Sequence, residues 1–132
     1  MIPFVASGFP RVLIADDEPQ LLRVLVLALE KIGCSVVAAN NGVEAISILQ
    51  AASSEVTAVV VDAAIGPHGA ADVLATIAKE RPQLRVVITS GDELSDSLRA
   101  VLLAHNGIFL HKPFPSSALL CALKDPLTQE DD

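Results

Sequence analysis

The stretch RVLIADDEP, Arg11 to Pro19, opens with the aliphatic run Val12, Leu13, Ile14 and Ala15, which Asp16, Asp17, Glu18 and Pro19 stop at once. A short, unbroken apolar run that ends in turn residues reads as a strand buried on both faces. Such a strand needs helices above and below it, and helical crossovers are what parallel strands require. The stretch therefore points to a parallel α/β sheet before any other residue is considered.

The chain downstream repeats the unit. From Pro19 to Ile32, Leu22, Leu25, Val26, Leu29 and Ile32 recur at three- and four-residue spacings, and Gly33 closes the segment as a helix stop. Ser35 to Ala39 gives a second strand, and Val43, Ala45, Ile46, Ile48 and Leu49 make a second helix that Asn40 or Asn41 caps. Thr57 to Val61 is a β-branched strand stopped by Asp62, followed by a glycine-bearing loop to Gly69 and a helix from about Ala71 to Glu80. Leu84 to Thr89 is a fourth strand halted at Ser90, and Leu94 to His105 a helix with Glu93 or Asp92 near its positive end. Asn106 and Gly107 stop that helix, Ile108 to His111 forms a short fifth strand, and Ser116 to Lys124 a last helix. Strands alternating with helices through short connections predict a three-layer α/β domain with a five-stranded parallel sheet and right-handed crossovers.

Composition agrees. The 132 residues are expected to hold one domain, spanning 11–124, between an irregular arm at 1–10 and a frayed acidic tail at 125–132. A hydrophobic content of 52% with only 3% aromatics predicts an interior of Val, Leu, Ile and Ala. Nine basic against sixteen acidic side chains give a net charge of −7, which repels phosphate backbones and anionic membranes, so no direct DNA binding is expected. Cys34 and Cys121 lack metal-ligand spacing, the first ten residues do not read as a secretory signal, and charges interrupt every apolar run. The expectation is a soluble, cytoplasmic protein with reduced thiols and no membrane insertion.

In open parallel sheets ligands bind outside the carboxyl ends of the strands. Here Asp16 and Asp17, Asp62, Ser90, and Lys112 follow the first, third, fourth and fifth strands. Three carboxylates in one cleft repel one another unless a positive charge sits among them, and oxygen-only donors suit Mg²⁺. Asp62, beside metal and lysine, is then placed to attack phosphorus, with Lys112 and the Ser90 hydroxyl binding the equatorial oxygens. Each piece alone has a plainer role: an acidic strand-to-helix turn, a helix cap, a surface Lys-Pro turn. Four strand ends carrying the required residue types in the required order make the combination specific.

On the pieces RVLIADDEP, VVAANNGVEAISIL, VVVDAAI, VVITSG and FLHKPF the chain resembles the receiver domain of two-component response regulators, from about Arg11 to Lys124. The resemblance implies a flavodoxin-like strand order 2-1-3-4-5 and a phosphoryl group accepted on Asp62 from a sensor histidine kinase or histidine phosphotransfer protein. It also implies Asp17 as a direct metal ligand, Asp16 as a largely water-mediated one, and Ala64 as a ligand through its carbonyl. Ser90 and Lys112 complete the set, with Ser90 and Phe109 as the switch pair and an unknown downstream protein reading the result. Two departures stand out. The loop after Asp62 has Gly66, Pro67 and Gly69 where the family usually has proline four and glycine about eight residues on, and Phe109 stands where tyrosine is commoner.

Two other functions compete. A phosphatase of the haloacid dehalogenase type also forms an aspartyl phosphate on a parallel sheet, but it needs a second carboxylate two residues after the nucleophile, where this chain has Ala64. A receiver-like scaffold that binds partners without phosphorylation would have no use for Asp16, Asp17, Asp62, Ser90 and Lys112 together. His68, His105 and His111 show no ligand spacing and read as loop or surface residues. Leu21, Val24, Leu27 and Ala28 make the first helix apolar on more than one side, from tight packing or as a partner-binding face.

Overall fold

The computed structural model describes residues 11–51, 55–66 and 69–124; the predicted arm and tail, Pro67 and His68 lie outside them. Elements follow in strict alternation: β1 (Arg11–Ala15), α1 (Pro19–Lys31), β2 (Ser35–Ala39), α2 (Gly42–Gln50), β3 (Ala58–Asp62), α3 (Ala70–Glu80), β4 (Arg85–Ser90), α4 (Asp96–Ala104), β5 (Ile108–His111) and α5 (Ser116–Lys124). The strands form one five-stranded sheet in the order β2-β1-β3-β4-β5. All pairs are parallel. The predicted fold class and strand order are both observed.

Side-chain alternation divides the aliphatic strands between two cores. Leu13, Ala15, Val59, Val61, Val86 and Ile88 face one side and pack with Leu49 of α2, Leu74 and Ile77 of α3 and Leu102 of α4. Val12, Ile14, Ala58, Val60 and Val87 face the other and pack with Leu22, Leu25 and Leu29 of α1 and Leu119 and Leu123 of α5. Burial on both faces is why β1 and β3 read as unbroken apolar runs. Helix α1 also keeps apolar side chains in solvent, with Val24 and Leu27 each 59% exposed.

Helix ends follow local chemistry. Asn41, rather than Asn40, is the N-cap of α2, its Oδ1 accepting the Glu44 N–H at 2.8 Å, while Glu44 Oε1 accepts the Asn40 N–H at 2.8 Å. Helix α4 starts at Asp96, two residues later than the sequence reading, because Ser95 caps it by accepting the Leu98 N–H at 3.1 Å. Leu94 is a buried loop residue, and Asp96, not Asp92 or Glu93, is the acid in the first turn.

The far end of α4 combines both stop residues. Asn106 takes the left-handed backbone conformation, φ 57°, and the Asn106 and Gly107 N–H groups return to the Leu103 and Leu102 carbonyls at 3.0 and 2.9 Å. A Cβ on Gly107 would overlap Leu102 Cδ1 and lie 3.2 Å from the Val86 carbonyl oxygen. Gly107→Ala is therefore expected to destabilise the protein by about 1–3 kcal/mol, the usual cost of overpacking a core. A lowered urea midpoint with unchanged slope checks it, and an unchanged midpoint would contradict this packing.

Candidate functional site

The site lies at the carboxyl end of the sheet, and the strands run further into it than their apolar runs suggest. Asp62 and Ser90 are the last residues of β3 and β4, not the first residues beyond them. The ladder continues because it is made by backbone groups: Asp62 is in register with Thr89, and the Ala63 N–H donates to the Thr89 carbonyl at 2.8 Å. A carboxylate and a hydroxyl thereby sit on rigid strand ends.

Asp16 follows β1 and is 2% exposed; its Oδ1 accepts the Glu18 N–H at 2.8 Å, which fixes the turn into α1. Asp62, 5% exposed, has one oxygen accepting the Ala64 N–H at 3.3 Å and the other 3.5 Å from Lys112 Nζ. Asp17 is exposed beside them. One carboxylate oxygen each from Asp16, Asp17 and Asp62 lie within 4.8 Å of one another. This is the cluster the sequence predicted.

Lys112 reaches back from the end of β5, its Nζ 3.5 Å from Asp16 Oδ2, 3.5 Å from Asp62 Oδ2 and 3.4 Å from Glu18 Oε1. Its own backbone N–H donates to the Ser90 carbonyl at 2.8 Å, which ties the residue after β5 to the end of β4. Ser90 Oγ accepts the Asp92 N–H at 3.0 Å and keeps its O–H as a donor. Phe109 sits half-buried on β5, in register with Ile88 and packed against the core on the α2, α3 and α4 side. Its ring meets His111 edge to face, with centroids 6.0 Å apart.

The electrostatics are those of a site short of positive charge. Burial pushes the Asp16 carboxyl above its ordinary range, and the Glu18 N–H and the Lys112 ammonium offset this only partly. Burial would lower Lys112, but Asp16, Asp62 and Glu18 together outweigh it and hold the ammonium above its ordinary value. Among the described residues one ammonium, that of Lys112, is paired with these carboxylates, which leaves room for a further cation. Oxygen-only donors, partly buried and already short of compensation, fit a hard divalent ion such as Mg²⁺.

A family model described as the response regulator receiver domain matches residues 12–124. The chain belongs to the response regulator receiver family. The receiver is 34% identical over 120 residues to the transcriptional regulatory protein GlrR of Escherichia coli K12, covering 89% of this chain and 26% of that one. It is 30% identical over 125 residues to the sensor kinase CckA of Brucella abortus, covering 95% and 13%. The receiver thus spans about a quarter or less of these relatives' lengths. Among solved structures, the signal receiver domain of an HD domain-containing protein from Pseudomonas fluorescens Pf-5 superposes with a TM-score of 0.78 at 25% identity, covering 93% of this chain and 98% of that one. A CheY-like receiver domain protein from Methanospirillum hungatei gives 0.81 at 21%, covering 93% and 97%. The Asp16, Asp17 and Asp62 cluster is of the kind that serves a receiver's own phosphorylation and dephosphorylation, not turnover of a separate substrate.

One member of the site was missed. Glu18 reads in the sequence as part of an acidic turn, yet its carboxylate is an anionic partner of Lys112. The pairing spans 94 positions and leaves no local trace.

Proposed function

We propose that the receiver takes a phosphoryl group onto Asp62 from a phosphohistidine on a sensor kinase or histidine phosphotransfer protein, and reports it through a phosphorylation-dependent protein contact. The observation that carries this reading is the juxtaposition of Asp16, Asp17 and Asp62 with Lys112 at 3.5 Å from Asp62. In the transfer an Asp62 oxygen forms the new bond to phosphorus, and the P–N bond to the donor imidazole breaks, its electron pair staying on nitrogen. Lys112 and the Ser90 hydroxyl then hold the transferred oxygens.

Asp16, Asp17, Asp62 and the Ala64 carbonyl would hold Mg²⁺, which supplies the positive charge that lets an anionic phosphoryl group approach anionic carboxylates. Ala64 itself has no proton to give or take, which argues against a dehalogenase-type phosphatase. The proposed unit is residues 11–124, flanked by the 1–10 and 125–132 segments. We assign it to the cytoplasm, where phosphohistidine donors and reduced thiols such as Cys121 coexist. Among the described residues no helix is long and apolar enough to cross a membrane. DNA contact is not part of the proposal, given the net charge of −7.

Incubation with acetyl phosphate and Mg²⁺, followed by intact mass measurement, tests the proposal. One added phosphoryl group is expected, and none in the presence of a chelator. Uptake that ignores the chelator would refute the metal-dependent site.

Signalling requires the change at Asp62 to spread. Ser90 is tied to Lys112 through the backbone, and Phe109 lies on the same strand as His111, so drawing Ser90 and Lys112 onto a phosphoryl group should shift β4, β5 and Phe109 together. Beryllofluoride, which stands in for the phosphoryl group, is expected to move amide resonances from Glu93 to His111 as well as those of the metal loops. Shifts confined to the metal loops would make the protein a phosphate sink instead of a switch.

A further inference from the structure

Glu18 occupies the N-cap position of α1, where Ser, Thr, Asp or Asn would stabilise the helix by capping it. Its side chain makes no such bond. The carboxylate instead turns across the site to Lys112 Nζ, 3.4 Å away, while the residue's backbone N–H is held by Asp16. The side chain is thus turned to Lys112 and not to the helix end.

An ammonium has three N–H donors. Lys112 faces Asp16, Asp62 and Glu18 at nearly equal distances of 3.5, 3.5 and 3.4 Å, all longer than a committed charge-assisted hydrogen bond. It is shared among three anions and tightly bound to none. A phosphoryl oxygen on Asp62 can claim an N–H only if one of these anions gives way. The side chains of Asp16 and Asp62 are 3% and 7% exposed, so stripping either of its cation leaves a buried charge. Glu18 is 63% exposed. Released into water beside the N-terminus of α1, whose dipole favours an anion, it loses little.

We propose that Glu18 is a positioning residue for phosphoryl transfer, holding the Lys112 ammonium over the acidic cluster in the unphosphorylated protein and surrendering it to the phosphoryl oxygen afterwards. This rests on the reading of Asp62 as phosphoacceptor. It makes Glu18 a competitor of the phosphoryl group for one lysine, so the residue tunes how readily the modified state forms.

The test is beryllofluoride affinity, measured by NMR titration with Mg²⁺ in the full chain, for the parent, Glu18→Gln, Lys112→Gln and the double variant. Glu18→Gln is expected to tighten binding about threefold, the size of an exposed ion pair. The same substitution in the Lys112→Gln background should change nothing, because the competition runs through the ammonium. Equal tightening in both backgrounds would reduce Glu18 to general charge repulsion, and unchanged or weaker binding in the parent background would also overturn the proposal.

A second readout is the side-chain carboxyl ¹³C resonance of Glu18. It should move when beryllofluoride is added to the parent, and move the same way in metal-free Lys112→Gln. A resonance that ignores both changes overturns the proposal even if Lys112→Gln no longer binds the probe. No beryllofluoride binding by the parent would bring down the phosphoacceptor reading and this proposal with it. Binding by the parent with no effect of Glu18→Gln would bring down this proposal alone.

Discussion

Asp62→Asn is expected to take up no phosphoryl group from acetyl phosphate under conditions in which the parent takes up one. The amide offers no anionic oxygen to attack phosphorus, and no other carboxylate in the cluster shares the Asp62 position at the end of β3, within reach of Lys112 and next to the Thr89–Ser90 end of β4. The loss should be chemical and not a folding defect. Asn keeps an oxygen for the Ala64 N–H, and removing one anion from a crowded cluster relieves repulsion while Lys112 retains Asp16 and Glu18. A thermal melt no lower than the parent's should accompany the missing mass. Phosphorylation of the variant at the parent's rate would place the acceptor elsewhere.

The second large effect concerns the metal. Asp17→Ala should abolish stabilisation by Mg²⁺ and, with it, most phosphoryl uptake. Asp17 is exposed, so its removal leaves the fold intact, yet it supplies one of the three clustered oxygens. In the parent, a ligand selective for the folded state stabilises it by about 2.7 kcal/mol at one hundred times its dissociation constant. Burial already makes the Asp16 charge costly, which is the cost a bound cation offsets. A melting temperature indifferent to millimolar Mg²⁺ in the parent, or an equal response in Asp17→Ala, would count against this site.

The fold was legible because nearly every signal was local. The Val12–Ala15 run, the Leu22, Leu25 and Leu29 stripe and the Gly33 stop each show in a few adjacent residues, and β1, α1 and β2 stand within a residue of their predicted bounds. The boundaries that moved were decided by backbone pairing or by competition between caps. The residue that ends an apolar run need not end a ladder, so β3 and β4 took in Asp62 and Ser90. Ser95 captured the start of α4 although acids and a leucine precede it.

The site was legible as a set of strand ends, since a parallel sheet brings its carboxyl ends to one edge whatever the loops do. What escaped was the partner of a long side chain. Lys112 reaches Glu18 as well as the two aspartates, and nothing in an Asp-Asp-Glu-Pro turn distinguishes a carboxylate that caps a helix from one that crosses the cleft. Val24 and Leu27 of α1 stand off the Leu22, Leu25 and Leu29 stripe in the sequence, but spacing does not say which apolar side faces solvent; the structure exposes the first two and buries the other three.

The most direct measurement of the central claim is to locate the phosphoryl group. An aspartyl phosphate is an acyl phosphate, and borohydride reduces it to the alcohol, leaving homoserine at the modified position. Treating the parent with acetyl phosphate and Mg²⁺, reducing, digesting and mapping the peptides by mass should place homoserine at Asp62 and at no other aspartate. Homoserine at Asp16 or Asp17, or phosphate retained on a serine such as Ser90 with Asp62 untouched, would contradict the account.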